Sequence, residues 1–528
     1  MFCLSRVLAS VAAIALGAAV AGAAQASPPK DFDAYIAHAL KVSGVPGVSV
    51  AIVEDGKVTL AKGYGVRRLG DPAPVDEHTI FPIGSNTKAF TSAALSILID
   101  EGKLKWDDKV VSHLPGFQMY DPYVTGEMTI TDLLTHRSGL GLGEGDLMFY
   151  PPTTFTRQEI VERLRYLKPA SSFRERFAYD NMLYIAAGQL VAHTAGETWD
   201  DFIRQNVFKP LGMPDAVATS GEIGPKVDRA WPHIRTGGAV RGLGDMKPMA
   251  SVELIDNAGP AGSINASAVD MSKWLQVQLS RGVLPDGKRL FSAQQAAAMW
   301  TPQTLTPTGE PRAGPLGDTT ARFSAYALGW DVRDYRGHKI YTHDGGVPGG
   351  VSTVWVMPDV HVAFAVLTNA EDIGALHAID NAIADHYLGA APVDWPVVMQ
   401  QAEDAQAAGA VALMKSQPAG QAEGPAPSAP LAKFAGVYHD PWYGSLTIAN
   451  GVHGLEVSFD RTPSMKGRLQ HVAYDTFRTR FPDPALEDAY LTFAFAPDGT
   501  VTEIKLKPVS PLADFSFDYQ DLDFTPAK

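Results

Sequence analysis

A serine and a lysine three residues apart open a segment of the chain in which a charged amine is out of place. Ser85-Asn86-Thr87-Lys88 is followed by residues 89–99, which contain no charged side chain. Burial disfavours the charged form of a lysine and lowers its pKa towards the range of a general base. One helical turn separates the two side chains, so they share a face and an amine there can take the proton of the serine hydroxyl. The spacing therefore indicates an activated serine nucleophile at Ser85, with Lys88 beside it.

The Ser-x-x-Lys pattern alone also fits a serine that caps a helix and a lysine that runs along the surface. It recurs at Ser27-Pro28-Pro29-Lys30, where two prolines exclude a helix interior. The segment after Lys88 favours catalysis instead. Its apolar residues recur at helical spacing and fill most of the remaining face as well, and Gly102 supplies an end signal. The sequence predicts a helix that is buried nearly all round and begins at the motif.

Two further short motifs follow along the chain. The first is Tyr179-Asp180-Asn181, just before an apolar stretch, and the second is His343-Asp344-Gly345-Gly346, just before the strand-like run at 351–356. Taken alone, a tyrosine before a helix is more often a core residue, and His-x-Gly is more often a turn. The information lies in their order after the Ser-x-x-Lys motif.

In chain order, Ser-x-x-Lys, Tyr-x-Asn and His-x-Gly resemble the active-site motifs of the serine β-lactamase and penicillin-binding-protein superfamily. The tyrosine form is similar to the branch of class C β-lactamases, D-aminopeptidases and CubicO-type hydrolases. Residues 133–140 (LLTHRSGL) and Pro210-Leu211-Gly212-Met213 also resemble segments of that branch, and the resemblance covers about residues 30–390. It implies a serine hydrolase that works through an acyl-enzyme.

The resemblance also implies a role for each matching residue. Ser85 would attack the carbonyl carbon, and Lys88 and Tyr179 would share the proton transfers. Unperturbed lysine and tyrosine are both poor bases at neutral pH, so the sequence leaves open which one is the base of the resting enzyme. Asn181 would hold Lys88 and the substrate amide. The backbone N–H groups of Ser85 and Gly346 would form the oxyanion hole.

The third motif departs from the Lys-Thr-Gly of many β-lactamases. His343, with Gly345 and Gly346, is expected to bind substrate, but an ordinary histidine is mostly neutral at pH 7 and lacks the fixed charge that recognises a carboxylate. We therefore expect a peptidase or amidase acting on short or modified peptides, D-aminopeptidase-like or linear-peptide-degrading. The alternatives are a carboxylesterase, a β-lactamase or penicillin-binding protein, and a non-catalytic binding protein on this scaffold. Residues 141–155, Asp146 among them, are predicted to line the mouth of the pocket.

The whole-chain features limit the partners. Residues 1–26 are predicted to be a signal peptide, with one charge, an apolar run and Ala24-Gln25-Ala26 as a small-x-small cleavage site, which predicts a periplasmic or secreted protein without a membrane span after cleavage. A membrane anchor is the alternative. The sole cysteine, Cys3, lies inside this segment, and the net charge of −14 argues against nucleic acid. No metal-ligand spacing or phosphate loop is present, so we expect no metal and no cofactor. Homo-oligomerisation stays open.

Elsewhere, the element patterns predict a mixed α/β fold. Strands near both ends of residues 27–390, with helices between them, fit the antiparallel sheet, flanking helices and helical subdomain that the resemblance implies. Residues 391–430 are predicted to be a helix and a linker rich in Pro, Ala and Gly. Residues 431–528 are predicted to form an all-β, barrel-like domain similar to the lipocalin-like barrels appended to such hydrolases. Its hairpins are predicted to turn at Asn450-Gly451 and Asp498-Gly499. All candidate catalytic residues precede residue 431.

Overall fold

A computed structural model describes residues 28–224, 227–252, 255–310, 312–416 and 424–527. The signal-peptide prediction for residues 1–26 and the first half of the predicted linker lie outside these ranges. Within them, no helix is both long and apolar enough to span a bilayer.

The helices carry the labels α1 to α14 in chain order. Their bounds are α1 Phe32–Ser43, α2 Thr87–Asp100, α3 Pro122–Glu127, α4 Ile130–Leu133, α5 Arg157–Arg163, α6 Met182–Ala195, α7 Trp199–Ile203, α8 Lys209–Leu211, α9 Gly259–Gly262, α10 Ala268–Leu279, α11 Ala293–Met299, α12 Pro315–Asp318, α13 Ile373–Tyr387 and α14 Trp395–Ser416.

The strands carry the labels β1 to β21 in chain order. Those before residue 390 are β1 Gly47–Glu54, β2 Lys57–Arg68, β3 Asp71–Pro74, β4 Phe81–Pro82, β5 His233–Gly237, β6 Gly244–Pro248, β7 Asn265–Ala266, β8 Thr304–Leu305, β9 Ser324–Tyr326, β10 Asp331–Tyr335, β11 His338–Val347, β12 Gly350–Met357 and β13 Val362–Thr368. The remaining ones are β14 Gly436–Asp440, β15 Gly444–Gly451, β16 Gly454–Phe459, β17 Lys466–Ala473, β18 Thr476–Arg480, β19 Ala489–Phe495, β20 Val501–Pro508 and β21 Asp523–Pro526.

A nine-stranded antiparallel sheet is the largest sheet of the described residues, in the order β3-β2-β1-β13-β12-β11-β10-β9-β8. The first strand pairs with the last strand of this region, with Val50 opposite Val366. Every residue of β1 is buried. Its alternate side chains therefore enter two different cores, one on each face of the sheet.

Helices cover both faces of this sheet. On one face lie α1 and α13, with α14 packed on both of them, and on the other α10 packs against β1 and β13. The helical subdomain, with α2 and α6 in contact at its centre, adjoins this second face. The predicted burial of α2 is confirmed, because Phe90 is fully buried and its ring stacks on Trp274 at a centroid distance of 3.8 Å.

The C-terminal strands β14 to β21 form a closed antiparallel barrel in which β14 pairs with β21. The predicted fold class, a mixed α/β domain followed by an all-β barrel, is thus confirmed. The predicted turn at Asp498-Gly499 is also confirmed, since it joins β19 and β20 and Gly499 has φ +81°.

The predicted turn at Asn450-Gly451 is wrong. Both residues lie in β15, where Asn450 pairs with Leu455 and Gly451 with Gly454. The reversal falls two residues later, at Val452 and His453. Gly454, with φ +107°, supplies there the left-handed conformation that the Asn-Gly pair was expected to supply.

The barrel rests on the helical subdomain. Arg461 of the barrel forms an ion pair with Glu159 of α5 at 2.9 Å, and its carbonyl accepts the N–H of Thr154. From the other side, Arg163 of α5 donates to the carbonyl of Trp442 at 3.0 Å. These contacts place the barrel beside the loop that connects α4 to α5.

Candidate active site

Ser85 lies in a single turn of 3-10 helix, Gly84–Asn86, directly before α2. Ser352 of β12 fixes both ends of that turn, because its hydroxyl donates to the carbonyl of Ile83 at 2.8 Å and accepts from the side-chain amide of Asn86 at 2.8 Å. The nucleophile candidate is therefore held between the sheet and the N-terminus of a buried helix, where unpaired backbone N–H groups favour negative charge.

Lys88 is completely buried, as the residue pattern predicted. Its Nζ lies 3.0 Å from Ser85 Oγ, 2.7 Å from Asn181 Oδ1 and 2.9 Å from the carbonyl oxygen of Ala261. The last two partners can only accept hydrogen bonds. A neutral amine has two N–H groups for them and one lone pair left for the serine hydroxyl. The three contacts fit a protonated amine that donates to all three oxygens, and they also fit a neutral amine that donates to Asn181 and Ala261 and accepts from Ser85.

The environment of Lys88 favours the neutral amine. Burial lowers its pKa from 10.5 to about 7, although the charges of Asp146 and Asp180 act in the opposite direction. About half of the amine is then neutral at pH 7. A large part of the enzyme is ready to accept a proton under physiological conditions.

Tyr179 has the opposite shift. Burial raises the pKa of its phenol well above 10, and a hydrogen bond with Ser85 offsets only part of this. Its ring centroid lies 4.8 Å from Lys88 Nζ. The phenol is consequently protonated at neutral pH. The two shifts favour Lys88 over Tyr179 as the group that can accept a proton at neutral pH.

Asn181 connects Lys88 to a second buried group. Its Oδ1 accepts from Lys88, and its Nδ2 donates to Asp146 Oδ2 at 2.9 Å. Burial raises the pKa of Asp146 to about 8, and its Oδ1 has no hydrogen-bond partner among the described residues. The sequence placed Asp146 in a segment at the pocket mouth; the structure places it underneath the site.

The segment of residues 133–140 supports the second motif. Ser138 donates to the buried carboxylate of Asp180 at 3.1 Å, and the backbone N–H of Asp180 donates to His136 Nδ1 at 3.1 Å. The other carboxylate oxygen of Asp180 accepts the N–H of Leu183 in the first turn of α6. On the other side of Tyr179, the N–H of Ala178 donates to the carbonyl of His136 at 2.9 Å, so the backbone direction is set on both sides.

His343 lies in β11 with both ring nitrogens engaged. Its Nδ1 is 2.6 Å from the carbonyl oxygen of Asp344, which can only accept, so Nδ1 carries the hydrogen. Its Nε2, 2.8 Å from the Tyr326 hydroxyl, is then the acceptor. Burial and the nearby charge of Lys88 lower the pKa of His343 to about 4. The third motif therefore carries no positive charge at neutral pH.

The glycines of the third motif allow β11 to approach the Ser85 turn. A β-carbon on Gly345 would lie 2.0 Å from the carbonyl oxygen of Ile83. One on Gly84 would lie 2.7 Å from the amide nitrogen of Gly346. Contacts this short require glycine, and they place the amide of Gly346 beside the serine.

The structure brings every predicted site residue into one place. Lys88 lies behind Ser85, and a single cavity of about 920 Å³ is lined by Ser85, Tyr179, Asn181, His343, Gly345 and Gly346. The same cavity is lined by residues 511–516 of the barrel domain and by Glu403 of α14. The sequence analysis missed the barrel residues and Tyr326, because none of them belongs to a motif, and Ala261-Gly262-Ser263, which resembles a family segment, gave no sign that the carbonyl of Ala261 binds Lys88.

Comparison with known proteins agrees with this geometry. Residues 32–388 match the protein family described as Beta-lactamase. The chain belongs to this family of serine hydrolases. Residues 421–526 match a domain of unknown function (DUF3471), which places a separately recognised unit over the barrel.

Relatives of the family cover most of the chain. The unguisins hydrolase ungD' of Aspergillus campestris is 30% identical over 436 residues, which are 79% of this chain and 77% of that protein. The octameric penicillin-binding protein homologue from Pyrococcus abyssi has a TM-score of 0.59 at 19% identity, covering 94% of this chain and 99% of that one. The D-amino acid amidase from Ochrobactrum anthropi SV3, in complex with D-phenylalanine, has a TM-score of 0.55 at 24% identity over 68% of this chain and 98% of its own. The two solved structures show the shared fold.

Proposed function

We propose that the protein is a peptidase or amidase that cleaves short or modified peptides through an acyl-enzyme on Ser85. The observation that carries this proposal is the contact of 3.0 Å between Ser85 Oγ and the buried amine of Lys88, whose pKa is lowered to about 7. A serine beside a neutral amine is an activated nucleophile. The neutral His343 directs the choice of substrate away from carboxylate-bearing lactams.

In the acylation step, Ser85 Oγ attacks the amide carbon while its proton passes to Lys88 Nζ. The oxyanion of the tetrahedral intermediate is stabilised by the backbone N–H groups of Ser85 and Gly346, each contributing roughly two to three orders of magnitude in rate. The protonated phenol of Tyr179 donates to the leaving nitrogen and is reprotonated from Lys88. Water then attacks the ester with the same groups in reverse order, which releases the acid and restores Ser85.

Two observations support amide or peptide substrates. The cavity, at about 920 Å³, has more room than the reacting groups alone would fill. The additional volume suits a peptide with side chains on both sides of the scissile bond. The relative from Aspergillus campestris is named as a hydrolase, and the similar solved structure from Ochrobactrum anthropi as an amidase of D-amino acids. A periplasmic or secreted location follows from the predicted signal peptide and is part of the proposal, as is assembly into a homo-oligomer.

The pH dependence of acylation should follow Lys88. Since the neutral amine is the active form and its pKa is about 7, kcat/KM should increase with pH. It should be about a hundredfold lower at pH 5 than at pH 8. His343, with a pKa of about 4, stays neutral in this range. The check is a kcat/KM profile at pH values where the melting temperature is constant. A flat profile, or one that falls as the pH increases, would contradict the role of Lys88.

The charge of the third motif should control the preference for carboxylate-bearing substrates. In His343→Lys, the added charge should raise the rate of nitrocefin acylation relative to p-nitrophenyl acetate about tenfold at pH 6, where a buried lysine keeps more of its proton. His343→Gln is the matched neutral control and should not raise the ratio. An equal ratio in the two variants would show that a positive charge at position 343 does not control the preference for carboxylate-bearing substrates.

A substrate panel tests the proposed function as a whole. It contains D- and L-aminoacyl amides, short peptides, p-nitrophenyl esters and nitrocefin, each measured with the wild type and with Ser85→Ala. We expect the highest kcat/KM on amides or peptides and none of it in the variant. Activity confined to the esters would identify a carboxylesterase, and activity confined to nitrocefin a β-lactamase. Either outcome would overturn the proposal.

A further inference from the structure

The barrel domain reaches the site through the loop of residues 509–518, which follows β20 and which we call the barrel loop. Phe515 of this loop lies against Tyr179, with ring centroids 5.9 Å apart and planes at 71°, an edge-to-face contact. Phe515, Leu512 and Ser516 also line the cavity that contains Ser85. A residue from outside the hydrolase domain therefore touches the tyrosine proposed to transfer the proton.

Hydrogen bonds hold the barrel loop in this position. The buried carboxylate of Asp518 accepts the backbone N–H groups of Gly145 and Leu147, at 2.6 and 3.0 Å. Ser516 Oγ donates at 2.8 Å to Asp146 Oδ2, the oxygen that also accepts from Asn181. A continuous path of hydrogen bonds thus runs from the barrel loop through Asp146 and Asn181 to Lys88.

The facing loop of the hydrolase domain is shaped for Phe515. Gly143 has φ +69°, and a β-carbon there would lie 2.7 Å from the Phe515 ring. Its N–H donates to the carbonyl of Tyr179 at 2.9 Å. Gly143 is therefore in close contact with Phe515 and is also hydrogen-bonded to Tyr179. These two contacts fix the distance between Phe515 and the catalytic centre.

Phe515 differs from its aromatic neighbours in exposure. It is 41% exposed, whereas Phe517 and Tyr519 are almost completely buried in the core. Leaving an aromatic ring open to a cavity forgoes burial that would stabilise the fold. The ring contacts Tyr179 edge-to-face and lies close to Gly143, and Phe515 also lines the cavity, where an apolar substrate group could cover its exposed part.

We infer that Phe515, presented by the barrel loop, is a specificity-determining residue that binds an apolar side chain of the substrate next to the scissile bond. The inference rests on the proposed function and deepens it, because it assigns the substrate class as peptides or amides with an aromatic or branched aliphatic residue at the cleaved bond. Ser516 and Asp518 are positioning residues, since they act through Asp146 and the backbone of residues 145–147.

The test compares acyl amides with methyl, isobutyl and benzyl side chains in the wild type and in Phe515→Ala. The isobutyl and benzyl compounds should lose about tenfold in kcat/KM, mainly through KM, and the methyl compound should change by less than twofold. Tyr474→Ala is the matched control, because Tyr474 is an aromatic residue 66% exposed in the turn between β17 and β18. It should behave like the wild type with all three compounds.

Two outcomes would overturn the inference: an equal change for all three side chains, or no change for any of them. Labelling of Ser85 by a small fluorophosphonate is measured in each variant as a control. If the wild type is not labelled, the hydrolase assignment has failed, and this result is distinct from either of the two outcomes above. In that case, calorimetric dissociation constants of the same three amides, measured with the wild type and with Phe515→Ala, still decide whether the ring binds the side chain. A dissociation constant that rises selectively for benzyl and isobutyl in the variant supports the inference, and equal constants contradict it.

Discussion

Ser85→Ala should lower kcat/KM on the best amide substrate by roughly four to six orders of magnitude. The loss is large because the variant has no oxygen at the position 3.0 Å from Lys88 Nζ, so neither the attack nor the acyl-enzyme can form. The fold should remain. Removing the hydroxyl and its hydrogen bonds with Lys88 and Tyr179 costs about 1 kcal/mol per bond, which corresponds to a small decrease in melting temperature.

Ser416→Ala is a suitable control, since Ser416 is an exposed serine at the end of α14 whose hydroxyl, among the residues that the structure describes, donates to the local backbone carbonyl of Leu413. It should retain the wild-type rate. EDTA should also leave the rate unchanged, because each proposed step uses side chains and backbone groups of the chain. If Ser85→Ala stays near the wild-type rate, or if EDTA abolishes activity, the mechanism proposed here is wrong.

Tyr179→Phe should lower kcat by roughly two to four orders of magnitude. The phenol, protonated because burial raises its pKa, is the proposed donor to the leaving nitrogen. The ring of phenylalanine would keep the packing against His136 and Phe515. The measurement is kcat on an amide and on a p-nitrophenyl ester. The ester should be less affected, since its leaving group needs little protonation.

Tyr335→Phe is the matched control for the loss of a buried hydroxyl. Tyr335 donates to Asp385 at 2.8 Å and packs in the core on the face of the sheet covered by α1 and α13. We expect Tyr335→Phe to lose stability and keep its kcat. Tyr179→Phe should keep its stability and lose kcat. An unchanged kcat in Tyr179→Phe would assign the tyrosine to packing alone.

Much of the scaffold could be predicted because it depends on local patterns. The uncharged helical run after Lys88 became the buried α2, and the alternating and continuous apolar runs became strands β1, β12 and β13. The Tyr-x-Asn and His-x-Gly motifs could likewise be located, because Tyr179 comes just before the apolar stretch that forms α6 and His343 comes before the strand-like run that forms β12. A short sequence pattern cannot show which residues, distant in the sequence, contact each site residue in the folded protein.

The protonation states are the main example. The sequence shows a lysine and a tyrosine of similar ordinary pKa, and only the three-dimensional surroundings separate them. Lys88 is lowered and Tyr179 is raised by the same cause, burial, because burial favours the neutral form of each. The depressed pKa of His343 likewise depends on burial and on the charge of Lys88, which lies 255 residues earlier in the chain by the numbering of the sequence. Its hydrogen-bond partner Tyr326 lies on another strand and in no recognisable motif.

The barrel loop is the second example. All candidate catalytic residues precede residue 431, so we expect the C-terminal domain to tune access to the site or assembly and to perform none of the chemistry. In the structure, Phe515 contacts Tyr179, and Ser516 bonds to Asp146 across a sequence separation of 370 residues. No local pattern announces such a contact, since a phenylalanine and a serine in a loop are ordinary residues.

The most direct test of the central claim is the mass of the intact protein after reaction with a fluorophosphonate, followed by peptide mapping. We predict one adduct per chain, on the peptide that contains Ser85, formed faster at pH 8 than at pH 6 and absent from Ser85→Ala. Prior addition of the best amide substrate should slow its formation. An adduct on another residue, or one that forms at the wild-type rate in Ser85→Ala, would contradict the assignment of Ser85 as the nucleophile.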